Sequence, residues 1–136
     1  MTYHAKFIAP AELIPVRKTK GSSGYDFISP ERVVIPPRGF IQFDSGVKID
    51  MEEGYFFLLS IRSSLGKRGI SLTNAIGIID SDYHDTMKAM LINQSDTHVI
   101  IEKGERYMQG ILIPYALASE TEVTEERTGG LGSTGK

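Results

Sequence analysis

Asp80 and Asp82 stand two residues apart at the end of an apolar segment, within Thr73-Asn74-Ala75-Ile76-Gly77-Ile78-Ile79-Asp80-Ser81-Asp82-Tyr83-His84-Asp85. If the strand continued, both carboxylates would share one face. Such a pair can hold a metal ion, or one member can act as a base. A hairpin turn rich in Asp and Ser would use the same residues. His84 beside Asp85 makes a poorer pair, because neighbours on a strand point to opposite faces. Two more polar clusters interrupt the apolar pattern, Gly21-Ser22-Ser23-Gly24-Tyr25-Asp26 and Arg62-Ser63-Ser64-Leu65-Gly66-Lys67-Arg68-Gly69. Arginine, hydroxyls and glycine N–H groups ligate phosphate. A solvated β-turn has the same composition. The tail, Arg127-Thr128-Gly129-Gly130-Leu131-Gly132-Ser133-Thr134-Gly135-Lys136, combines backbone donors, hydroxyls and flanking cations. It would be a disordered terminus on its own, and it can wrap a phosphate once a ligand supplies the ordering energy. His4, His84 and His98 show no metal-ligand spacing.

These clusters sit between segments of period two. Phe40-Ile41-Gln42-Phe43-Asp44 leads through Ser45-Gly46 into Val47-Lys48-Ile49-Asp50, and Tyr55 to Ile61 reads as a buried strand after the turn at Glu52-Glu53-Gly54. Met87 to Asn93 and His98 to Glu102 are further strands, joined by the polar turn Gln94-Ser95-Asp96-Thr97. Met108 to Leu117 is another, in which Pro114 limits the ladder. No stretch keeps a helical period for more than about two turns. Many short strands with frequent turns predict an all-β sandwich, jelly roll or barrel.

The chain has 136 residues, which suits one domain. A β domain is expected over residues 1–119 and a flexible C-terminal arm over 120–136, beginning with the acidic stretch Glu120 to Glu126. Apolar content is 40%, so part of the apolar surface is open to being shared with a partner subunit. No cysteine is present, which excludes disulfides, thiolate zinc sites and thiol catalysis. That absence, and a start at Met1 to Lys6 without a secretory pattern, make a cytoplasmic location the expectation. The longest apolar run, Tyr55 to Leu59, is too short for a bilayer, so no membrane partner is expected. The net charge of -2 creates no field that attracts nucleic acid. An anionic ligand must therefore meet a local cluster.

Taken together, the clusters resemble the five ordered motifs of the trimeric dUTPase family. They are Ser23-Gly24-Tyr25-Asp26-Phe27, Arg62-Ser63-Ser64-Leu65-Gly66, Asn74 through Tyr83, Gly104-Glu105-Arg106-Tyr107-Met108-Gln109, and Arg127 through Gly135. They run in the family's order across nearly the whole chain, and the third and fifth are specific.

The resemblance implies a distorted jelly roll in a homotrimer. Its sites lie between subunits, each closed by a neighbour's swapped C-terminal tail. It implies hydrolysis of dUTP to dUMP and pyrophosphate by in-line attack of water on the α-phosphorus. Asp80 would be the base. Asn74, with the hairpin groups of Gly77 and Ile79, would read the uracil, and Tyr83 would pack beneath the deoxyribose. Arg62, Ser63, Ser64, Lys88 and Gln109 would contact substrate, and Arg127, Leu131, Gly132, Ser133 and Thr134 would close over it. Asp26 and Arg106 would form a supporting ion pair. Mg²⁺ would sit on the triphosphate and water, with Asp26 near its waters.

The chain departs from the family pattern at four points. Ser64 and Asp85 replace glycines, the fifth motif is one residue shorter after its arginine, and Leu131 replaces the phenylalanine that stacks over uracil. Two other functions fit the fold: a dCTP deaminase, which would need a deaminating glutamate, and a regulatory module that binds dUTP as a switch and, in viral or phage settings, has a protein partner.

Overall fold

Period-two burial runs through the strands of the computed structural model, which describes residues 2–119 and 123–128. Lys48–Met51 buries Ile49 and Met51, and Lys88–Asn93 buries Ala89, Leu91 and Asn93. Each strand thus turns one face to a common core.

The strands follow in chain order as β1 (Ala5–Ile8), β2 (Tyr25–Ile28), β3 (Val33–Ile35), β4 (Phe40–Asp44), β5 (Lys48–Met51), β6 (Tyr55–Ile61), β7 (Ile70–Leu72), β8 (Gly77–Ile79), β9 (Lys88–Asn93), β10 (Val99–Ile101) and β11 (Arg106–Pro114). A four-stranded sheet has the order β2-β11-β6-β8, and a three-stranded sheet the order β4-β9-β7. Two pairs, β1-β5 and β10-β3, complete the architecture, and every pairing is antiparallel. The expected all-β, jelly-roll-like class is therefore what the chain adopts.

The core joins the two larger sheets. Phe27, Phe57, Leu59 and Met108 of one sheet and Phe43, Leu72 and Leu91 of the other belong to one buried cluster. The rings of Phe43 and Tyr107 meet 5.1 Å apart across it. At its centre the backbone of β11 passes directly over Phe57. A Cβ on Gly110 would lie 2.0 Å from Phe57 Cε2, so only glycine fits there.

Strand β4 matches the sequence expectation over Phe40–Asp44, and β6 over Tyr55–Ile61. Others differ for stated reasons. Strand β11 starts at Arg106 because it pairs first with β2, and it ends at Pro114, which offers no N–H to a longer ladder. The segments β9 and β10, joined by Gln94–Thr97, enter different sheets. Buried Asn93 holds that corner, donating to Ile35 O at 3.0 Å and Thr97 O at 2.8 Å, while its Oδ1 accepts from Ser95 N at 2.9 Å. Residues 63–66, expected in a phosphate-binding loop or a β-turn, form a short helix, α1 (Ser63–Gly66), pinned by buried Leu65.

Candidate active site

The first group of site residues gathers where β2, β11 and β6 run side by side. Asp26 faces Gln109 in register on one side of β11, and Ser60 faces it on the other. The Asp26 side chain is only 13% exposed and lies between two guanidiniums, Arg62 Nε at 3.4 Å and Arg106 Nη1 at 3.8 Å. The expected Asp26–Arg106 pair is thus present, and Arg62 joins it. Arg62 leaves β6 with its N–H on Tyr107 O at 3.2 Å, and its Nη1 donates to Arg106 O at 3.4 Å. Ser63 and Ser64 follow on the exposed surface of α1.

The second group belongs to the segment from Asn74 to Lys88. Ala75 takes a left-handed turn at φ 67, and Ile76 N–H closes it on Asn74 O at 2.8 Å. Gly77 then enters β8 opposite Leu59, where a Cβ would approach Leu59 Cβ to 3.1 Å. Strand β8 stops at Ile79. The Asp80 to Tyr83 segment is a turn closed by Tyr83 N–H on Asp80 O at 3.1 Å, not a continuing strand. Asp80 and Asp82 still face the same partner, because the turn brings both to Arg127. Arg127 Nε donates to Asp82 Oδ1 at 2.9 Å, and its Nη2 bonds Asp80. The Arg127 guanidinium carbon sits 5.9 Å from the centre of the Tyr83 ring. Its side chain is 12% exposed, and the bond to Asp82 leads the interactions that hold its pKa above the ordinary guanidinium value, against some desolvation.

Behind the turn, Tyr83 is buried and its hydroxyl donates to Thr86 O at 2.7 Å. Burial pushes the phenol pKa up. Lys88, expected to reach substrate, has its ammonium on Asp44 at 3.1 Å and Thr86 O at 3.2 Å. The cause is register, because Asp44 and Lys88 are cross-strand partners on β4 and β9. Asp44 and Thr86 carried no local motif, and their roles come from a contact across 42 residues. His84 makes no side-chain hydrogen bond among the described residues, and Asp85 is engaged with Thr86 N at 2.7 Å, so no His-Asp dyad forms. Among the described residues no cluster of His, Asp or Glu side chains forms a metal cage. Leu131, Gly132, Ser133 and Thr134 lie outside the described residues.

The two groups are spread across one sheet. Asp26 is on β2 and Ile79 on β8, with β11 and β6 between. Three strand spacings amount to about 14 Å, and the offset from Ser60 to Phe57 adds about 10 Å along the strand.

The dUTPase family model matches residues 11–135. The chain belongs to the dUTPase family. Relatives named deoxyuridine 5'-triphosphate nucleotidohydrolase include that of Lactococcus lactis subsp. lactis, 40% identical over 131 residues, covering 90% of this chain and 87% of that one. Another is that of Paramecium bursaria Chlorella virus 1, 38% identical over 136 residues, covering 96% and 95%. The crystal structure of dUTPase from Streptococcus mutans superposes with a TM-score of 0.78 at 32% identity, covering 84% of this chain and 98% of that chain. A phage phi11 dUTPase of S. aureus, described with a structural Mg(II) ion, shares the fold at a TM-score of 0.77 and 21% identity, covering 90% and 98%.

Against the dUTPase pattern, the departure at Asp85 is accommodated locally. Arg38 and Ala75 are the positive-φ non-glycine residues among those described, so Asp85 needs no left-handed backbone. Its carboxylate caps the Thr86 N–H instead.

Proposed function

We propose that this chain hydrolyses dUTP to dUMP and pyrophosphate, limiting uracil incorporation into DNA and supplying dUMP. The observation that carries the reading is the convergence of Asp80 and Asp82 on Arg127, whose guanidinium lies over the Tyr83 ring. A carboxylate that can take a proton, a cation suited to phosphate and an aromatic floor for a sugar lie within one cluster. Named relatives at 40% and 38% identity support the same reaction.

In this reading Asp80 accepts the proton of the water that attacks the α-phosphorus in line with the leaving pyrophosphate. Arg127 exchanges its carboxylate partners for phosphate oxygens, which frees Asp80 to act as base. Arg62, Ser63, Ser64 and Gln109 stabilise charge on the phosphates, and the Asp26–Arg106 pair orients Arg62. Asn74 and the backbone at Gly77 and Ile79 read the uracil edge. A tight hairpin rejects thymine by its methyl and cytosine by its donor pattern. Leu131 to Thr134 complete the closure as part of the arm at 120–136.

Asp26, nearly buried between two guanidiniums, suits contact with a metal's water shell better than direct ligation. Mg²⁺ held by triphosphate and water fits that arrangement, and when bound it neutralises phosphate charge. The separation of the two residue groups supports a site shared between copies in a homotrimer; Arg127, which here lies on the Asp80 and Asp82 of its own chain, would take the same place on a neighbour's hairpin where the tails cross. Exposed apolar side chains on strands, Phe40 at 66% and Ile78 at 60%, are suitable for cover by another subunit.

Pyrophosphate release from dUTP, dCTP, dTTP and UTP, each with and without Mg²⁺, tests the reading. Turnover of dUTP above the other three is expected. Ammonia from dCTP would assign the deaminase activity instead, and tight dUTP binding without turnover would assign a sensor.

A further inference from the structure

We propose that Asp44 and Thr86 are positioning residues that set the Tyr83 platform and with it the discrimination between deoxyribose and ribose. The inference rests on the reading of Tyr83 as the floor of the sugar pocket, and it concerns residues outside the five motifs.

The geometry is a chain of contacts from the frame to the platform. Asp44 is the last residue of β4, next to the β4–β5 corner. Its Oδ1 accepts from Gly46 N at 2.8 Å, which ties the carboxylate to that corner. Its Oδ2 accepts from Thr86 Oγ1 at 2.8 Å and from Lys88 Nζ at 3.1 Å. Thr86 passes the restraint on, since its carbonyl accepts both the Tyr83 hydroxyl at 2.7 Å and Lys88 Nζ at 3.2 Å. Two backbone bonds flank the latch, Met87 N to Val47 O at 2.8 Å and Ser45 N to Met87 O at 3.0 Å. Asp85 closes the near side through Thr86 N at 2.7 Å and stands 3.8 Å from Lys88.

The phenol is therefore held at its hydroxyl end by a carbonyl whose own residue is anchored to another sheet. A ring fixed at both ends has little freedom to tilt, and a rigid floor is what steric rejection of a 2′-hydroxyl requires. Without the latch, Tyr83's backbone, its packing and the Arg127 contact would set the ring angle with no bond at the hydroxyl end anchored to β4. The latch also supplies a role for Asp85 and Thr86 in a hairpin whose usual glycine is missing, because Asp85 braces the residue that carries the Tyr83 acceptor.

The test compares Asp44→Ala, Asp44→Asn, Thr86→Val and Thr86→Ser with the wild type. Specificity constants for dUTP and UTP are measured in parallel, with melting temperatures and the NMR signals of ring-labelled tyrosine. Thr86→Val and Asp44→Ala should lower the dUTP-to-UTP ratio by about fivefold to tenfold, the equivalent of one net hydrogen bond, mainly through a higher KM for dUTP. Thr86→Ser should restore the ratio, and Asp44→Asn, which keeps an acceptor for Thr86, should fall between. The Tyr83 signal should shift in the two severe variants and return in Thr86→Ser. An unchanged ratio with an unmoved Tyr83 signal in folded Thr86→Val overturns the proposal, as does an equal loss with both nucleotides. If Asp44→Ala fails to fold, the comparison of Thr86→Val with Thr86→Ser decides between support and rejection. A wild type inactive on dUTP whose Tyr83 signal still moves in the variants would retire the hydrolase reading and leave the latch standing.

Discussion

Asp80 illustrates how much one side chain can be asked to do. It is half exposed, bonded to Arg127, and placed at the start of a turn on the surface. Asp80→Asn keeps the shape and an acceptor for Arg127 but cannot take a proton at neutral pH. Turnover of dUTP should fall by about 10²–10⁴-fold while binding of a non-hydrolysable analogue changes little. A variant with more than a tenth of wild-type turnover would remove Asp80 from the role of base. Tyr107 is a contrasting case, structural and buried. Its hydroxyl is enclosed without a hydrogen-bond partner among the described residues, and burial pushes its pKa far up. An unpaired buried hydroxyl costs about 1–3 kcal/mol. Tyr107→Phe keeps the ring packed on Phe43 and removes the cost. Thermal unfolding should show an unchanged or higher midpoint, and a fall of several degrees would mean the hydroxyl has a partner.

At the scale of elements, β11 is the strand on which sheet integrity and the residues proposed to contact phosphate both depend. It pairs with β2 and β6 together, and it carries Arg106 and Gln109. Gly110→Ala would drive a methyl into Phe57, which is fully buried and has no space to retreat. A loss of about 1–3 kcal/mol is expected, visible as a lower denaturant midpoint. An unaffected midpoint would show that the sheet can open at that crossing.

The β4–β9 latch gives a pH prediction. Partial burial works against the Asp44 charge, but the Gly46 N–H, Thr86 hydroxyl and Lys88 outweigh it and hold the pKa below the usual carboxylate value. Burial also opposes the Lys88 charge, yet Asp44 and, less strongly, Asp85 and Tyr83 raise its pKa. A depressed Asp44 contributes stability above its unfolded pKa and loses it as pH falls through the folded value. A raised Lys88 contributes below its unfolded pKa and loses it as pH rises through the folded value. The latch is therefore intact across neutral pH, with Arg127 and Tyr107 the other titratable groups near this corner. Asp44→Asn should flatten the acid limb of a stability-against-pH curve below about pH 4. An identical acid limb in both proteins would discount the latch's charge.

Elements also show what can be read in the chain before its fold is known. Strand β4 is legible from its alternation, and β6 from a continuous apolar run that follows a turn at Glu52-Glu53-Gly54. The contacts of Asp26 with Arg106 and of Asp80 and Tyr83 with Arg127 join residues that local motifs single out. Helix α1 is not legible, since one turn of Ser63–Gly66 has too few residues to display a period. The contact of Asp44 with Lys88 is not legible either, because its meaning lies in cross-strand register, which no local pattern carries.

For the whole molecule, the decisive feature is the distance between the two halves of the site. Asp26 lies on one edge strand of the four-stranded sheet, Gln109 on β11 and Arg62 at the end of β6 lie between, and Asp80 and Tyr83 follow β8, the other edge strand. In the proposed reading, a single chain offers each half without closing one on the other. A closed ring of three copies solves this if the phosphate half of one subunit meets the hairpin of the next, since a rotational arrangement repeats the same contact at every interface. Complementation tests the idea directly. Arg62→Ala spoils the phosphate half and Asp80→Asn spoils the hairpin half, so each variant alone should be nearly inactive. Refolded together in equal amounts, subunits assort at random. A site built from two subunits is intact when an Asp80 donor and an Arg62 donor are each unaltered, which happens in about one quarter of sites. Activity should recover to about that fraction of wild type, and light scattering should report a trimer before and after mixing. If trimers form and exchange but no activity returns, both halves must come from the same chain, and the shared site is rejected.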